Sequence, residues 1–196
     1  MLAPGYSALE FVPPAAGSYG LPPMGLAADG RILTDQNKRS TLHDVMGDRI
    51  TVLSFIFTTC TDVNGCPLAA YVLSGVQRAL LDRPEMRDRV RFISFSFDPE
   101  NDSPKVLKEY GGKFRDPNFH WDFVTAATDI DLATTLDAYG QSVLRDYDGE
   151  GNYMGSMSHI LRVFLIDEQK KIRNIYSTSF LHTDTIVNDV RTLLMD

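Results

Sequence analysis

Apolar positions fall into two periods along this chain. ITVLSFIF, Ile50–Phe57, is a near-continuous apolar run of strand length, the way a strand buried on both faces of a sheet reads. RVRFISFSFD, Arg89–Asp98, repeats that pattern. Between them Leu68, Val72, Leu73, Val76 and Leu80 recur at helical spacing within Pro67–Asp82, with proline at the first helical position. Ser103 before Pro104 reads as the N-cap of a helix over Ser103–Phe114. A strand is predicted near Trp121–Val124 and a helix over Asp129–Tyr139, capped by Thr128 or Asp129. LRVFLID and IRNIYST, Leu161–Asp167 and Ile172–Thr178, flank the turn EQKK as a hairpin, and a last helix covers Thr183–Met195. Upstream, Arg31–Thr34 is a short strand, DQNKR a polar turn, and Thr41–Val45 one helical turn ended by Gly47.

Strand and helix thus alternate through short connections, followed by a hairpin and a helix, which predicts an α/β fold with a mixed sheet. A Cys/Cys-Pro element directly after the first long strand suggests a thioredoxin-like arrangement of that sheet and its flanking helices. The start of the chain has a different character. Five of the ten prolines, Pro4, Pro13, Pro14, Pro22 and Pro23, lie in the first thirty residues, where extended chain is expected rather than helix. Residues 1–27 are therefore read as a Pro/Gly-rich arm, lying over the domain, linking to an anchor or hanging as a tail. Residues 28–196 form the domain.

Composition changes this picture little: 43% hydrophobic and 23% charged is ordinary for a globular chain of 196 residues. The net charge of −7 argues against nucleic acid and against an anionic membrane surface as partners. No apolar run approaches the ~18 residues of a spanning helix, and no signal peptide is visible at the start. The expectation is that any leader or anchor has been trimmed from this stretch.

The candidate chemistry lies in FTTCTDVNGCP. It holds the only two cysteines, Cys60 and Cys66, separated by five residues. Cys60 follows the carboxyl end of a buried strand, where open α/β sheets bind ligands, and Cys66-Pro67 opens the next helix. Free N–H groups and the positive end of the helix dipole are expected to favour a thiolate at Cys66. Asn64-Gly65 signals a turn that brings the two sulfurs back together. A stapling disulfide, a redox pair and two legs of a metal site all remain open on these grounds. His159, immediately before the hairpin, is the third element. Two thiolates and an imidazole make a soft set that selects copper, with zinc as competitor, although three ligands fall one short of a closed zinc site.

The chain from about Leu26 onward resembles the Sco/SenC family through three segments: FIFTTCTDVNGCP, SFSFDPENDSPKVLKEYGGKF and SHILRVFLID. The middle one, with Asp98-Pro99-Glu100 followed by Asp102-Ser103-Pro104, is similar to that family's DPxxDTP signature. The resemblance implies a thioredoxin-like domain, exported to the periplasm or another extracytoplasmic membrane face and often tethered there. It implies one copper ion, Cu(I) or Cu(II), bound by Cys60, Cys66 and His159. The implied partners are a copper-receiving protein such as a cytochrome c oxidase subunit and a thiol-disulfide reductant. Asp98 would lie beside the cysteines or cap the turn after its strand. The family usually separates its cysteines by three residues; five stand here, which bears on affinity, redox potential and partner fit.

Three further residues draw attention near these segments. Met154 and Met157 in YMGSMSH are either apolar residues of an irregular loop or soft axial or transfer ligands. Asp62 either reaches the metal or steadies the turn. A thiol-disulfide oxidoreductase using Cys60 and Cys66 without a metal is the alternative function, weakened by the absence of CxxC. The residues preceding Cys60 also lack the proline and the threonine spacing of thiol peroxidases.

Overall fold

The computed structural model describes Tyr6, Leu9 and residues 11–195. The rest of the predicted arm, including Pro4, lies outside the described residues, as does Asp196. In chain order the elements are β1 (Gly25–Leu26), β2 (Arg31–Thr34), β3 (Arg39–Thr41), α1 (Leu42–Met46), β4 (Ile50–Ile56), α2 (Cys66–Leu81), α3 (Pro84–Arg87), β5 (Val90–Ser96), α4 (Pro104–Gly111) and β6 (Trp121–Ala126). They continue with α5 (Asp129–Ala138), β7 (Val143–Tyr147), β8 (Tyr153–His159), β9 (Val163–Ile166), β10 (Lys171–Tyr176) and α6 (Thr183–Leu193).

Eight strands form one sheet in the order β1-β10-β9-β4-β5-β6-β2-β3. β4, β5 and β6 run parallel, as strands joined by crossover helices must, and β9 lies antiparallel on the other side of β4. Every residue of β4 is buried, which is the physical origin of its unbroken apolar pattern. α2 packs against α6, while α4 and α5 contact β6. The α2–α6 approach is close enough that a Cβ on Gly75 would collide with Thr183, so only glycine fits there. A mixed sheet flanked by helices in this order is the thioredoxin-like arrangement expected from the sequence.

Two features of this fold set up the site. The parallel register pairs Ile56 with Ser96, so the chains leaving β4 and β5 emerge side by side. β7 and β8 form a separate two-stranded sheet, with Val143 opposite His159. The sequence pattern reads this second hairpin as an irregular loop. Its residues are mostly exposed and offer no apolar alternation, but the turn between its strands, Asp148–Asn152, holds the Asp-Gly and Gly-Asn pairs that favour hairpins.

The described part of the arm lies along the domain. Met24 and Ala27 donate their N–H groups to the carbonyls of Ile172 and Lys170 at the sheet edge. Tyr19 donates its hydroxyl to Asp189 on α6 at 2.5 Å, and Asn188 donates to the Pro14 carbonyl at 2.6 Å.

Candidate metal centre

Three elements deliver the three predicted ligands to one place. Cys60 stands on the loop after β4, Cys66 is the first residue of α2, and His159 is the last residue of β8. Their ligand atoms all lie within 4.8 Å of one another, and the two cysteines are free thiols. His159 Nε2 is 3.6 Å from Cys66 Sγ. Bonds of about 2.0–2.3 Å to a shared ion, at tetrahedral to trigonal angles, separate neighbouring donors by about 3.5–3.8 Å, so this pair fits a common ion. On its other side His159 Nδ1 is 3.4 Å from the Met157 carbonyl. A proton on Nδ1, donated to that carbonyl, leaves the Nε2 lone pair facing the sulfurs. Phe57 and Phe97 hold the imidazole ring by edge-to-face and tilted contacts at 5.7 and 5.1 Å.

The sulfurs are not equivalent. Cys66 is 1% exposed, and the hydrogen bond it donates to Cys60, with burial, pushes its thiol well above the usual range. Cys60 is half-buried and lowered to about 7, chiefly because Cys66 donates to it, with backbone N–H groups of Cys66 and Asp62 adding to that. The expectation of a thiolate at Cys66 is therefore corrected. The N–H that opens α2 favours the charged form of both sulfurs, and it is burial of Cys66 and the proton it donates that put the negative charge on Cys60.

The five-residue spacing closes as a turn. Asp62 accepts from the Asn64 N–H through its carboxylate, at 3.0 Å, and from the Gly65 N–H through its carbonyl, at 2.9 Å. Asp62 lies close enough to oppose the charge on Cys60, but its carboxylate is not among the converging ligand atoms. Asp98 is buried and accepts from the Asn101 side chain at 2.9 Å, and its carbonyl receives the Asn101 and Asp102 N–H groups. That is turn capping.

Asp102 is the residue whose part in the site the sequence did not disclose. Fully buried, it accepts from the Thr58 N–H at 3.0 Å, from the Thr58 hydroxyl and from the Ser96 hydroxyl at 2.5 Å. It thereby ties the start of the Cys60 loop to the end of β5 and to α4. Burial raises its carboxyl above the ordinary value despite these bonds. The only sequence signal was its position in the DPENDSP segment, where it reads as a residue before a helix cap.

A cleft of about 480 Å³ opens onto Cys60 and His159, walled by the Cys60 loop on one side and β8 on the other. Met154 and Met157 both line it. Met157 is buried in the core, whereas Met154 is 63% exposed at the mouth.

A family model described as SCO1/SenC matches residues 31–195. The SCO1 protein homolog of Bacillus subtilis (strain 168) is 28% identical over 155 residues, which span 79% of this chain and 75% of that protein. Copper-bound ScoI of Arabidopsis thaliana superposes with a TM-score of 0.72 at 19% identity, covering 87% of this chain and 98% of that one, a likeness of fold. A SCO1/SenC family lipoprotein from Bacillus anthracis str. Ames superposes with a TM-score of 0.70 at 25% identity, covering 88% and 97%.

Proposed function

The chain belongs to the SCO1/SenC family, and on that premise we propose that it binds one copper ion through Cys60, Cys66 and His159 and passes it to a copper-receiving protein such as a cytochrome c oxidase subunit. The observation that carries this reading is the convergence of two sulfurs and one imidazole nitrogen within 4.8 Å. Thiolates suit Cu(I) and imidazole helps to hold Cu(II), so one set serves both states. The unequal sulfurs suggest an order of release. Cys60, half-exposed and already favouring the thiolate, is the sulfur an incoming ligand displaces first. Cys66, buried at the helix mouth, lets go last.

The metal-free oxidoreductase reading is not favoured, because it gives no task to an imidazole whose Nε2 is held 3.6 Å from Cys66 Sγ. A thiol-disulfide reductant remains a fitting partner, since the ligands must be reduced to bind. Met154 serves in this account as a soft transfer ligand at the cleft mouth, and Asp98 and Asp62 shape the turns around the ligands. In this reading residues 28–196 are the copper-binding domain and 1–27 a preceding arm, whose described part is held to the domain through Tyr19, Met24 and Ala27. An extracytoplasmic membrane face fits this function, and the lipoprotein relative supports a tethered location.

The test is competition of reduced protein against a chromophoric Cu(I) chelator. One equivalent is withheld from the chelator by the wild type, and each of Cys60→Ala, Cys66→Ala and His159→Ala gives it up. Retention equal to the wild type in Cys60→Ala and Cys66→Ala would overturn the proposal.

A further inference from the structure

The turn that follows β5 touches both halves of the ligand set. Asp102, at its end, holds Thr58 and with it the loop that carries Cys60. Phe97, which leads into it, lies against the His159 ring at 5.1 Å. Between the two, Glu100 accepts from the Arg145 guanidinium on β7 at 2.6 Å. That guanidinium also lies over the Tyr153 ring of β8, 5.4 Å from its centroid.

Register ties Arg145 to the site. Arg145 stands opposite Met157 and Val143 opposite His159, so these four side chains share one face of the hairpin. It is the inward face, since Met157 is buried in the core and His159 reaches Cys66. Just beyond Arg145 the pairing slips, between Arg145 and Tyr147, and Gly155 in the slipped stretch of β8 has φ +77°. That bulge divides the hairpin into an inner stretch, which carries His159, and an outer stretch, which leads to the turn. Among the described residues, Arg145–Glu100 is the one ion pair that joins the hairpin to the rest of the domain, and the His159–Cys66 approach is its only other hydrogen bond to it.

We propose that Arg145 and Glu100 are positioning residues for His159: the pair fixes the inner stretch of the hairpin to the turn after β5 and so holds the imidazole beside the sulfurs, as Asp102 holds the loop of Cys60. One turn then sets both sides of the metal centre. The inference rests on the reading of His159 as a copper ligand. The pair is open to water, 42% exposed at Arg145 and 66% at Glu100, so it is a weak fastening. Metal transfer requires the imidazole to leave the ion, and a fastening of that strength allows it.

Two readouts on the full chain test this. In copper-free reduced protein, Arg145→Ala and Glu100→Gln should each speed amide exchange across residues 143–146 and 156–159 by about two- to fivefold, with β4 and β5 unchanged. The double variant should match Arg145→Ala alone, because both changes remove one contact. Salt at about 1 M should bring the wild type toward the variants. In Cu(II)-loaded protein the same variants should lose copper to a chelator about two- to fivefold faster. Arg89→Ala, which breaks the comparably exposed pair with Glu168 at the other end of the sheet, should not. Unchanged exchange in the hairpin, additive effects in the double variant, or faster exchange with copper release unaltered overturns the positioning role. A failure of the copper reading would instead appear in the His159→Ala chelator competition, and the exchange measurement would still decide whether the pair holds the hairpin.

Discussion

Asp102 offers a quantitative check on how the site is held. In Asp102→Ala three donors lose their acceptor: the Thr58 N–H, the Thr58 hydroxyl and the Ser96 hydroxyl. Each deserted buried donor costs about 1–3 kcal/mol. Thr58 is only partly buried, so water reaches it, and losing an unfavourably buried carboxylate offsets part of the rest. The expected net loss is about 2–3 kcal/mol, or about 5–10 °C in Tm for a chain of this size. Asp102→Asn keeps the oxygen shared by the Thr58 N–H and the Ser96 hydroxyl and turns its NH₂ toward the Thr58 hydroxyl, which can accept, so its cost is about 1 kcal/mol. The pH dependence has a definite sign. The folded carboxyl is raised above its unfolded value near 3.9, so the native state holds the proton more tightly. Wild-type stability relative to Asp102→Asn therefore falls as pH rises from the unfolded value through the folded one. Urea denaturation at a series of pH values measures both effects. A cost in Asp102→Ala below about 0.5 kcal/mol, or a difference from Asp102→Asn that grows with pH, would refute the reasoning.

In copper-free reduced protein, Cys60 alkylation by iodoacetamide should reach half its maximal rate near pH 7, and Cys66→Ala should move that midpoint up toward about 8.5; an unmoved midpoint contradicts the donated hydrogen bond. Met154→Ala should lower Cu(I) affinity or slow Cu(I) transfer by about tenfold, and a variant matching wild type in both removes the thioether from the account. Tyr176→Phe, which deletes a hydroxyl donated to buried Asp189 at 2.7 Å, should cost about 2 kcal/mol in denaturant unfolding, and no change would show that Tyr19 and Asn174 satisfy that carboxylate without it.

Parts of the structure with strong burial were legible beforehand. β4 and β5 are unbroken apolar runs because both faces of a central strand are covered, and α2 begins where Cys66-Pro67 marks it. β7–β8 left no such trace, because a two-stranded sheet off the main core requires no apolar face; only its turn residues betrayed it. That hairpin is also what brings His159 to the sulfurs, so the ligand was nameable from family resemblance while its means of delivery was not. The two thiols were told apart wrongly for a related reason. Their positions along the chain favour Cys66 as the thiolate, but its burial, and its approach to Cys60 as donor, exist only in three dimensions. Asp102 is the same case, since Thr58, 44 residues earlier on the loop after β4, reaches it only because β4 and β5 lie side by side.

The central claim is that two sulfurs and one imidazole share a single copper ion. X-ray absorption at the copper edge of Cu(I)-loaded protein tests it directly, wild type beside His159→Ala. Two sulfurs and one nitrogen in the wild-type shell, with the nitrogen lost in the variant, is the predicted result. A shell without sulfur, or one identical in the two proteins, would contradict it.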